Sequence, residues 1–520
     1  MIEPSMPGSD GALVGVDVGG TFTDAVVALG ERVVTAKRPT TPEDQSIGVL
    51  DAVTAALEHA GIGPERVAAF AHGMTVGTNA LLEGRGARAA LVATEGFGDV
   101  LELRRQTRAS LYDLAAHHPA PLIPADLVVE VKERVGAEGV LTPLTEAEIR
   151  RVVERVRELE VPSVAVGLLF SFAMPEHERR IVDALGDALP DVHVSASHRV
   201  LPEIREYERI STTAVDAYLT PVLRSYLEGL GERTRDAGLP TPQIMQSSGG
   251  LLPLADSSER AAWTVLSGPA GGVIGAAALA RAHGLERALT FDMGGTSCDV
   301  ALIEHGRPAR TSGTVIAGHP IHLPLLDIET VSAGGGSIGW ADSGGALRVG
   351  PHSAGARPGP AAYGHGGRDA TVTDANVALG RLDPGMTLGG TIELDGEAAS
   401  AAVRRLADRL RMDEASCAEG ILTVANQEMV RALRRVSVER GVDPRECTLI
   451  AFGGAGPLHA ADVADELGMR RVICAPAAGV LAALGLVVAG ERRDHVQTVL
   501  LAADDRAGLR RAHAPLRDRA

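Results

Sequence analysis

The chain has four cysteines, Cys298, Cys417, Cys447 and Cys474, and no two of them form a C-x-x-C pair. A disulfide framework, a zinc ribbon and an iron–sulfur ligand set are therefore not expected, and a reducing compartment fits. Aromatic residues make up 3%, which leaves little for stacking platforms. Basic residues are outnumbered 50 to 67 by acidic ones, for a formal net charge of −17. That balance argues against nucleic acid and against an anionic membrane surface as partners. No long apolar run is present either. The most apolar segment, 475–490, has 16 residues with several glycines, short of the roughly 20 that a spanning helix needs. The first ten residues show no basic region followed by an apolar run, so no signal peptide is read. These absences point to a cytoplasmic globular protein, which at 520 residues is expected to form roughly two to four domains.

What the chain does have is glycine, 61 residues of it, and a duplicated glycine motif. Leu289–Ile303 reads as an apolar strand, a Gly-Gly turn and a second strand, with Asp292 ending the first and Asp299 just past the turn. The same pattern stands at Val14–Val27, with Asp17 and Asp24 in the matching places. Asp17 and Asp292, Gly19 and Gly294, Gly20 and Gly295, Thr21 and Thr296, and Asp24 and Asp299 are each 275 residues apart.

Around this pair the hydrophobic pattern alternates strands and helices. Strands are expected at 13–17, 23–29, 33–37, 87–94, 163–170, 193–197, 243–247, 449–452 and 471–474. Helices are expected at about 44–60, 146–159, 176–189, 206–237, 398–410 and 415–440, with others opening near Ser267 and Gly456. Such alternation implies parallel strands with crossover helices. Residues 327–370 are Gly-rich and are expected to lack regular structure; within them 333–360 fits a substrate lid, with Arg357 or His352 facing the ligand, or a flexible surface loop. The expected divisions are a disordered leader 1–12, an N-terminal half 13–200, a second half 201–495 holding the 327–370 insert, and a polar tail 496–520.

The hairpin chemistry follows from its residue types. Gly19, Gly20, Gly294 and Gly295 lack Cβ, so backbone N–H groups can turn toward an anion and form a phosphate nest. Thr21 and Thr296 add hydroxyl donors. Asp17 and Asp292, at strand ends, suit Mg²⁺ held through water beside phosphates. No G-x-x-x-x-G-K-[ST] loop exists in the chain. Nor is this a dinucleotide fingerprint, because a β-branched strand follows the glycines where a helix would open.

A duplicated strand–Gly turn–strand is similar to the phosphate-binding arrangement of the actin/hexokinase/Hsp70 superfamily. The fold that this resemblance implies is α/β, with two actin-like (ribonuclease H-like) ATPase domains and ATP in the cleft between them. A third superfamily element, a Gly-rich turn before a helix near the C-terminus, is matched by Ile450–Gly456. More narrowly, the chain from about 13 to 490 resembles the hydantoinase/5-oxoprolinase A-type subunits. The match rests on Gly15–Asp24, His72–Glu83, Glu206–Arg209 with Ser211–Thr213, Leu266–Gly272, Phe291–Asp299, Ala333–Ile338 and Phe452–His459.

The resemblance implies ATP-dependent opening of a cyclic amide (hydantoin, 5-oxoproline or another lactam) through phosphorylation of the amide oxygen. Such a reaction needs mainly positioning and charge neutralisation. The expected site has Asp17 and Asp292 on Mg²⁺, with Asp292 also the general base. Gly19, Gly20, Thr21, Thr23, Asp24, Gly294, Gly295 and Thr296 are expected at the phosphates, and Gly453, Gly454 and Ala455 at the adenosine. A second metal is left open. The family also includes acetone and acetophenone carboxylase subunits that activate a substrate as a phosphorylated enolate, and the motif residues do not separate the two chemistries. A B-type subunit is the implied partner. Family members usually continue into a further C-terminal domain that this sequence does not show, so an ATP-binding chain that is inactive alone is also consistent.

Several other residues carry two readings each. His459 and Asp462, three apart on an expected helix, fit a metal pair or solvated positions near a turn. His319, His322 and Asp327 fit a metal site or a loop. His72 and Asn79 fit a substrate contact or a structural turn. Glu206, Glu208 and Arg209 fit ion pairs at a helix start or a functional cluster.

Overall fold

A computed structural model of the chain describes residues 11–519 apart from 42, 391, 476 and 503. Of the expected leader, residues 1–10 lie outside the described residues. Strand β1 (Ala12–Val18) is buried along its length except at Asp17, as expected of a central strand covered on both faces. It turns through Gly19–Thr21 into β2 (Phe22–Leu29), and β2 turns into β3 (Arg32–Pro39). Helix α1 (Gln45–Ala60) follows. Asp44 caps it by accepting from Ser46 N at 3.0 Å, and Gly61 ends it at φ 72°, where a Cβ would be strained. Strand β4 (Val67–Gly73) then lies parallel to β1.

The chain next builds a separate four-stranded parallel sheet from β5 (Ala89–Thr94), β6 (Val128–Val131), β7 (Ser163–Gly167) and β8 (His193–Ala196), in the order β8-β7-β5-β6. The 31-residue helix α2 (Glu206–Asp236) runs from this lobe back to the first sheet and stays helical through Pro221. Strand β9 (Gln243–Met245) then pairs in parallel with β4. The first sheet thus draws a strand from beyond residue 200, the division expected from the sequence.

Helix α3 (Ser267–Ala282) leads into the second sheet. There β10 (Arg287–Met293) and β11 (Cys298–Glu304) form the second hairpin. Strand β12 (Arg307–Pro308) pairs with the far end of β11, and β13 (Ile328–Val331) pairs with its near end. The expectation that 327–370 lacks regular structure is corrected here. That stretch contains β13 and a hairpin of β14 (Ser337–Ala341) with β15 (Leu347–Ser353). Its glycines hide the strand alternation, because a residue without a side chain adds nothing to a hydrophobic pattern. Strand β16 (Thr448–Phe452) runs parallel to β10, helix α4 (Gly456–Glu466) follows, and β17 (Arg471–Cys474) lies parallel to β16. Helix α5 (Leu481–Val488) completes this half, and the polar tail forms helix α6 (Arg506–Arg519).

The two sheets have one topology. In chain order within each half, strands one, two and three are antiparallel neighbours, and strands four and five add in parallel on the other side of strand one. This is the duplicated α/β arrangement of the actin-like ATPases. Helices α3 and α5 lie between the sheets, where Leu13, Val26, Ala276, Ala280, Ile450, Phe452, Leu481 and Val487 share one core. Their backbones touch. A methyl at Gly485 would lie 1.8 Å from Gly271 O, and one at Gly15 would lie 2.3 Å from Ala483 O. Among the described residues no helix is long and apolar enough to cross a membrane.

Candidate active site

The two hairpins repeat atom for atom where it matters. Asp17 pairs with Asp24 and Asp292 with Asp299 across their ladders. Gly19 N donates to Phe22 O at 3.0 Å, and Gly294 N donates to Ser297 O at 3.0 Å. The turns face each other at close range: a methyl at Gly295 would lie 3.2 Å from Thr21 Oγ1. The space beside Gly20 and Gly454 is open, with no heavy atom within 4 Å of where a Cβ would be. The Gly-Gly-Thr turns of the two hairpins are thereby brought together.

Helix α3 explains the spacing of Ser267-Gly-Pro-Ala-Gly-Gly272. A methyl at Gly268 would stand 3.3 Å from Asp17 Oδ1, and one at Gly272 would stand 3.1 Å from Asp292 Oδ2. Residues four apart lie on one face of a helix, so the first two turns of α3 run past both aspartates. Asp292 is hemmed in further by Gly453, whose φ is +80° and where a methyl would meet Asp292 Oδ1 at 2.3 Å. Ala455 N donates to Met293 O at 2.9 Å, which ties the Gly453–Ala455 turn to the second hairpin. The Ala333–Gly336 segment closes on that hairpin too, with Gly335 N donating to Gly294 O and Gly336 N to Gly295 O.

All four carboxylates are half-buried beside the two turns, and desolvation disfavours their charged forms. Burial, then the Asp24 carboxylate, push Asp17 up to about 7 against the pull of Lys37, and Asp299 of the other hairpin adds to the rise. Asp292 is raised well above the usual carboxylate range by burial and then by Asp299, Asp17 and Asp24, with Lys37 again opposing. Burial lifts Asp299 to about 6 although the Thr330 hydroxyl, donating at 2.5 Å, pulls the other way. Asp24 is raised by burial and restrained by its ion pair with Lys37.

Asp17 Oδ1 is buried without a hydrogen-bond partner, a costly state unless something fills it. Among the described residues no three His, Cys, Asp or Glu side chains converge on one metal position. An unpaired buried carboxylate oxygen fits Mg²⁺, which takes one or two carboxylates and completes its shell with water and phosphate.

Other sequence candidates are placed differently. Thr23 is buried with its hydroxyl 3.3 Å from Thr40 Oγ1, so it supports the first turn from beneath. His72 is fully buried between Val16 O (3.1 Å) and Tyr226 Oη (2.8 Å), and burial pushes its pKa down to about 4. It is a core histidine. Asn79 Nδ2 donates to Thr75 Oγ1 at 3.2 Å within its turn. His459 is buried, bonded through Nδ1 to Asn426 Oδ1 at 2.7 Å, while Asp462 pairs with Arg381. Neither the metal pair nor solvation of His459 holds. Glu208 pairs with Arg105, as the ion-pair reading expects, whereas Arg209 is fully buried and donates to Glu203 O and Leu168 O at 2.9 Å, a structural role without an ion pair. Asp327 pairs with Arg440. Arg357 and His352 are exposed.

The residues missed by the sequence reading are Lys37, Thr330, Gly268 and Gly272, with Asp299 recognised as a repeat but not as a site member. The glycines carried a signal, since two glycines four apart at a helix start mark a close approach on one face.

The chain matches the hydantoinase/oxoprolinase family over residues 209–495 and that family's N-terminal region over 13–189. It is 39% identical over 503 residues to the caprolactamase subunit alpha of Pseudomonas jessenii, a match covering 95% of this chain and 72% of that one. The crystal structure of the ATP-dependent caprolactamase from that organism superposes with a TM-score of 0.86 at 37% identity, covering 98% of this chain and 75% of its own. The acetophenone carboxylase gamma subunit of Aromatoleum aromaticum is 35% identical over 91% of this chain and 67% of its own. The 5-oxoprolinase of Saccharomyces cerevisiae is 35% identical over 92% of this chain, which spans 41% of that protein.

Proposed function

The chain belongs to the hydantoinase/oxoprolinase family, and from that premise we propose that it is the nucleotide-binding subunit of an enzyme that opens a cyclic amide at the expense of ATP. The observation that carries this reading is the pair of facing hairpins, with Asp17, Asp24, Asp292 and Asp299 around one cleft. The likeness to a caprolactamase subunit and to 5-oxoprolinases supports the cyclic amide as substrate class.

A ring amide is a poor electrophile because its nitrogen shares its lone pair with the carbonyl. Transfer of the ATP γ-phosphoryl group to the amide oxygen gives an imidate phosphate; water adds to its carbon, the ring nitrogen takes up a proton and leaves, and a second water hydrolyses the remaining acyl phosphate to the carboxylate and inorganic phosphate. The backbone N–H groups of Gly19, Gly20, Gly294 and Gly295, with the Thr21 and Thr296 hydroxyls, hold and orient the phosphate chain. Gly453, Gly454 and Ala455 line the adenosine side. Mg²⁺, when bound at Asp17 and Asp292, would neutralise phosphate charge. Asp292, whose proton affinity is raised by burial and neighbouring carboxylates, accepts the proton released in the reaction. Asp24 and Asp299 keep the site strongly acidic, so a metal–nucleotide complex is favoured over a bare anion.

A second reading is kept open by the 35% identity to a carboxylase gamma subunit: the same clamp phosphorylating an enolate. One experiment separates the two. The chain is co-expressed with a B-type subunit, and ADP release is measured with hydantoins, 5-oxoproline, larger lactams, and ketones with and without bicarbonate. Release driven by a cyclic amide supports the proposal. Release that requires a ketone plus bicarbonate replaces it with the carboxylase reading, and absence of release with every compound counts against both.

A further inference from the structure

A row of three residues crosses the first sheet at the hairpin. Asp17 on β1 pairs with Asp24 on β2, and Asp24 pairs with Lys37 on β3. The second sheet repeats the row as Asp292, Asp299 and Thr330. The duplication extends to the third strand, since Leu29 pairs with Arg32 and Glu304 with Arg307, again 275 residues on. Inserted chain then separates β12 from β13, and the strand resumes with Thr330 where the first half has Lys37.

The two third members hold the middle carboxylate in different ways. Thr330 donates to Asp299 from a neutral hydroxyl, whereas Lys37 forms an ion pair with Asp24. Lys37 is the cation that opposes the rise in proton affinity of Asp17, Asp24 and Asp292 alike, and Asp299 has none. Its side chain is 27% exposed against 16% for Asp24, so the lysine is the more accessible member of a half-buried pair. It also donates to Gly479 O at 3.4 Å and lies 5.1 Å from the centre of the Phe22 ring. Gly479 follows Ala478, whose carbonyl accepts from Gly453 N at 3.0 Å. Lys37 therefore reaches from the first hairpin to the segment behind the Gly453–Ala455 turn.

Four carboxylates around a cleft repel a polyphosphate. A divalent cation offsets part of that repulsion, and the chain supplies one ammonium of its own beside the first hairpin. We propose that Lys37 is a phosphate-binding residue of the nucleotide site, with Asp24 as the partner that holds its ammonium until a phosphate chain enters and takes it over. The proposal rests on the reading of this cleft as an ATP site, and it makes the two halves unequal: the first hairpin offers a mobile cation, and the second offers only backbone and hydroxyl donors. A point charge on a flexible stem suits this exchange of partners.

The test is competition against a fluorescent ATP analogue on the full chain, with ATP, ADP and AMP as competitors, for wild type, Lys37→Met and Lys37→Arg. The proposal expects Lys37→Met to weaken ATP by about tenfold or more and AMP by clearly less, with Lys37→Arg close to wild type, because the lost interaction is charge-assisted and grows with phosphate charge. Melting temperatures of the nucleotide-free proteins are measured alongside. Equal weakening of all three nucleotides in Lys37→Met, or unchanged ATP affinity with a lowered melting temperature, would overturn it and leave Lys37 as an ion pair at the sheet edge. A wild-type chain that binds none of the three removes the ATP reading itself, and the proposal with it.

Discussion

Replacing Asp17 by Asn tests the electrostatics of the cleft without any substrate. In the nucleotide-free protein Asp17 is pushed from 3.8 up to about 7, first by burial and then by Asp24. A carboxyl whose folded pKa is raised binds more protons folded than unfolded. Stability is therefore intact below about pH 4, falls as pH rises from about 4 to 7, and is at its reduced value above 7. A shift of that size corresponds to a destabilisation on the order of 4 kcal/mol at pH 8. The residue is reachable from the cleft, so solvent and counter-ions offset part of it, and a net gain of about 1–2 kcal/mol is expected on removing the charge. Asn keeps the shape and cannot ionise. Asp17→Asn is expected to melt roughly 1–2 °C above wild type at pH 8 in EDTA and to lose that advantage near pH 4. Mg²⁺ is expected to narrow the difference by stabilising the wild type alone. Scanning calorimetry at the two pH values decides it. A variant that melts lower than wild type at pH 8, or a difference that does not change with pH, would refute the argument.

Other outcomes follow from the same geometry. Asp292→Asn is expected to remove substrate-dependent ADP release while circular dichroism stays unchanged, and normal turnover would show that Asp292 is not the base. Gly453→Ala combines a left-handed φ of +80° with a methyl 2.3 Å from Asp292 Oδ1; a loss of about 2–4 kcal/mol in urea unfolding is expected, together with weaker adenosine-nucleotide binding. Gly485→Ala places a methyl 1.8 Å from Gly271 O between α3 and α5, so a loss of about 3 kcal/mol or more is expected in the same assay. Wild-type stability in that variant would mean the two helices are not in backbone contact.

What could be read from the sequence was local. The Asp-x-Gly-Gly-Thr hairpins announce themselves because strand, turn and strand are contiguous and the copy is free of gaps at an offset of 275. The Asp44 cap and the Gly61 stop of α1 are equally local. Lys37 and Thr330 were not legible, since their roles depend on register across a third strand, and in the second half that strand is split by an insertion. An i, i+3 polar pattern at a helix start looks solvated, but Asn426, on the helix Glu414–Val436, closes over His459. Strand β9 joins the first sheet only through pairing with β4, some 170 residues earlier in the chain, and no local pattern records that. The nucleotide clamp thus lay in short motifs, while its charge balance lay in tertiary pairing.

The most direct test of the central claim follows the amide oxygen. A cyclic amide that the co-expressed enzyme opens is labelled with ¹⁸O at its carbonyl, turned over with ATP in ordinary water, and the released inorganic phosphate is analysed by mass spectrometry. Phosphorylation of the amide oxygen followed by water attack at carbon predicts one ¹⁸O in each phosphate, because the labelled oxygen bridges carbon and phosphorus in the acyl phosphate left by ring opening and departs on phosphorus when the second water attacks the carbonyl carbon. Unlabelled phosphate, with the ¹⁸O retained in the carboxylate product, would contradict it.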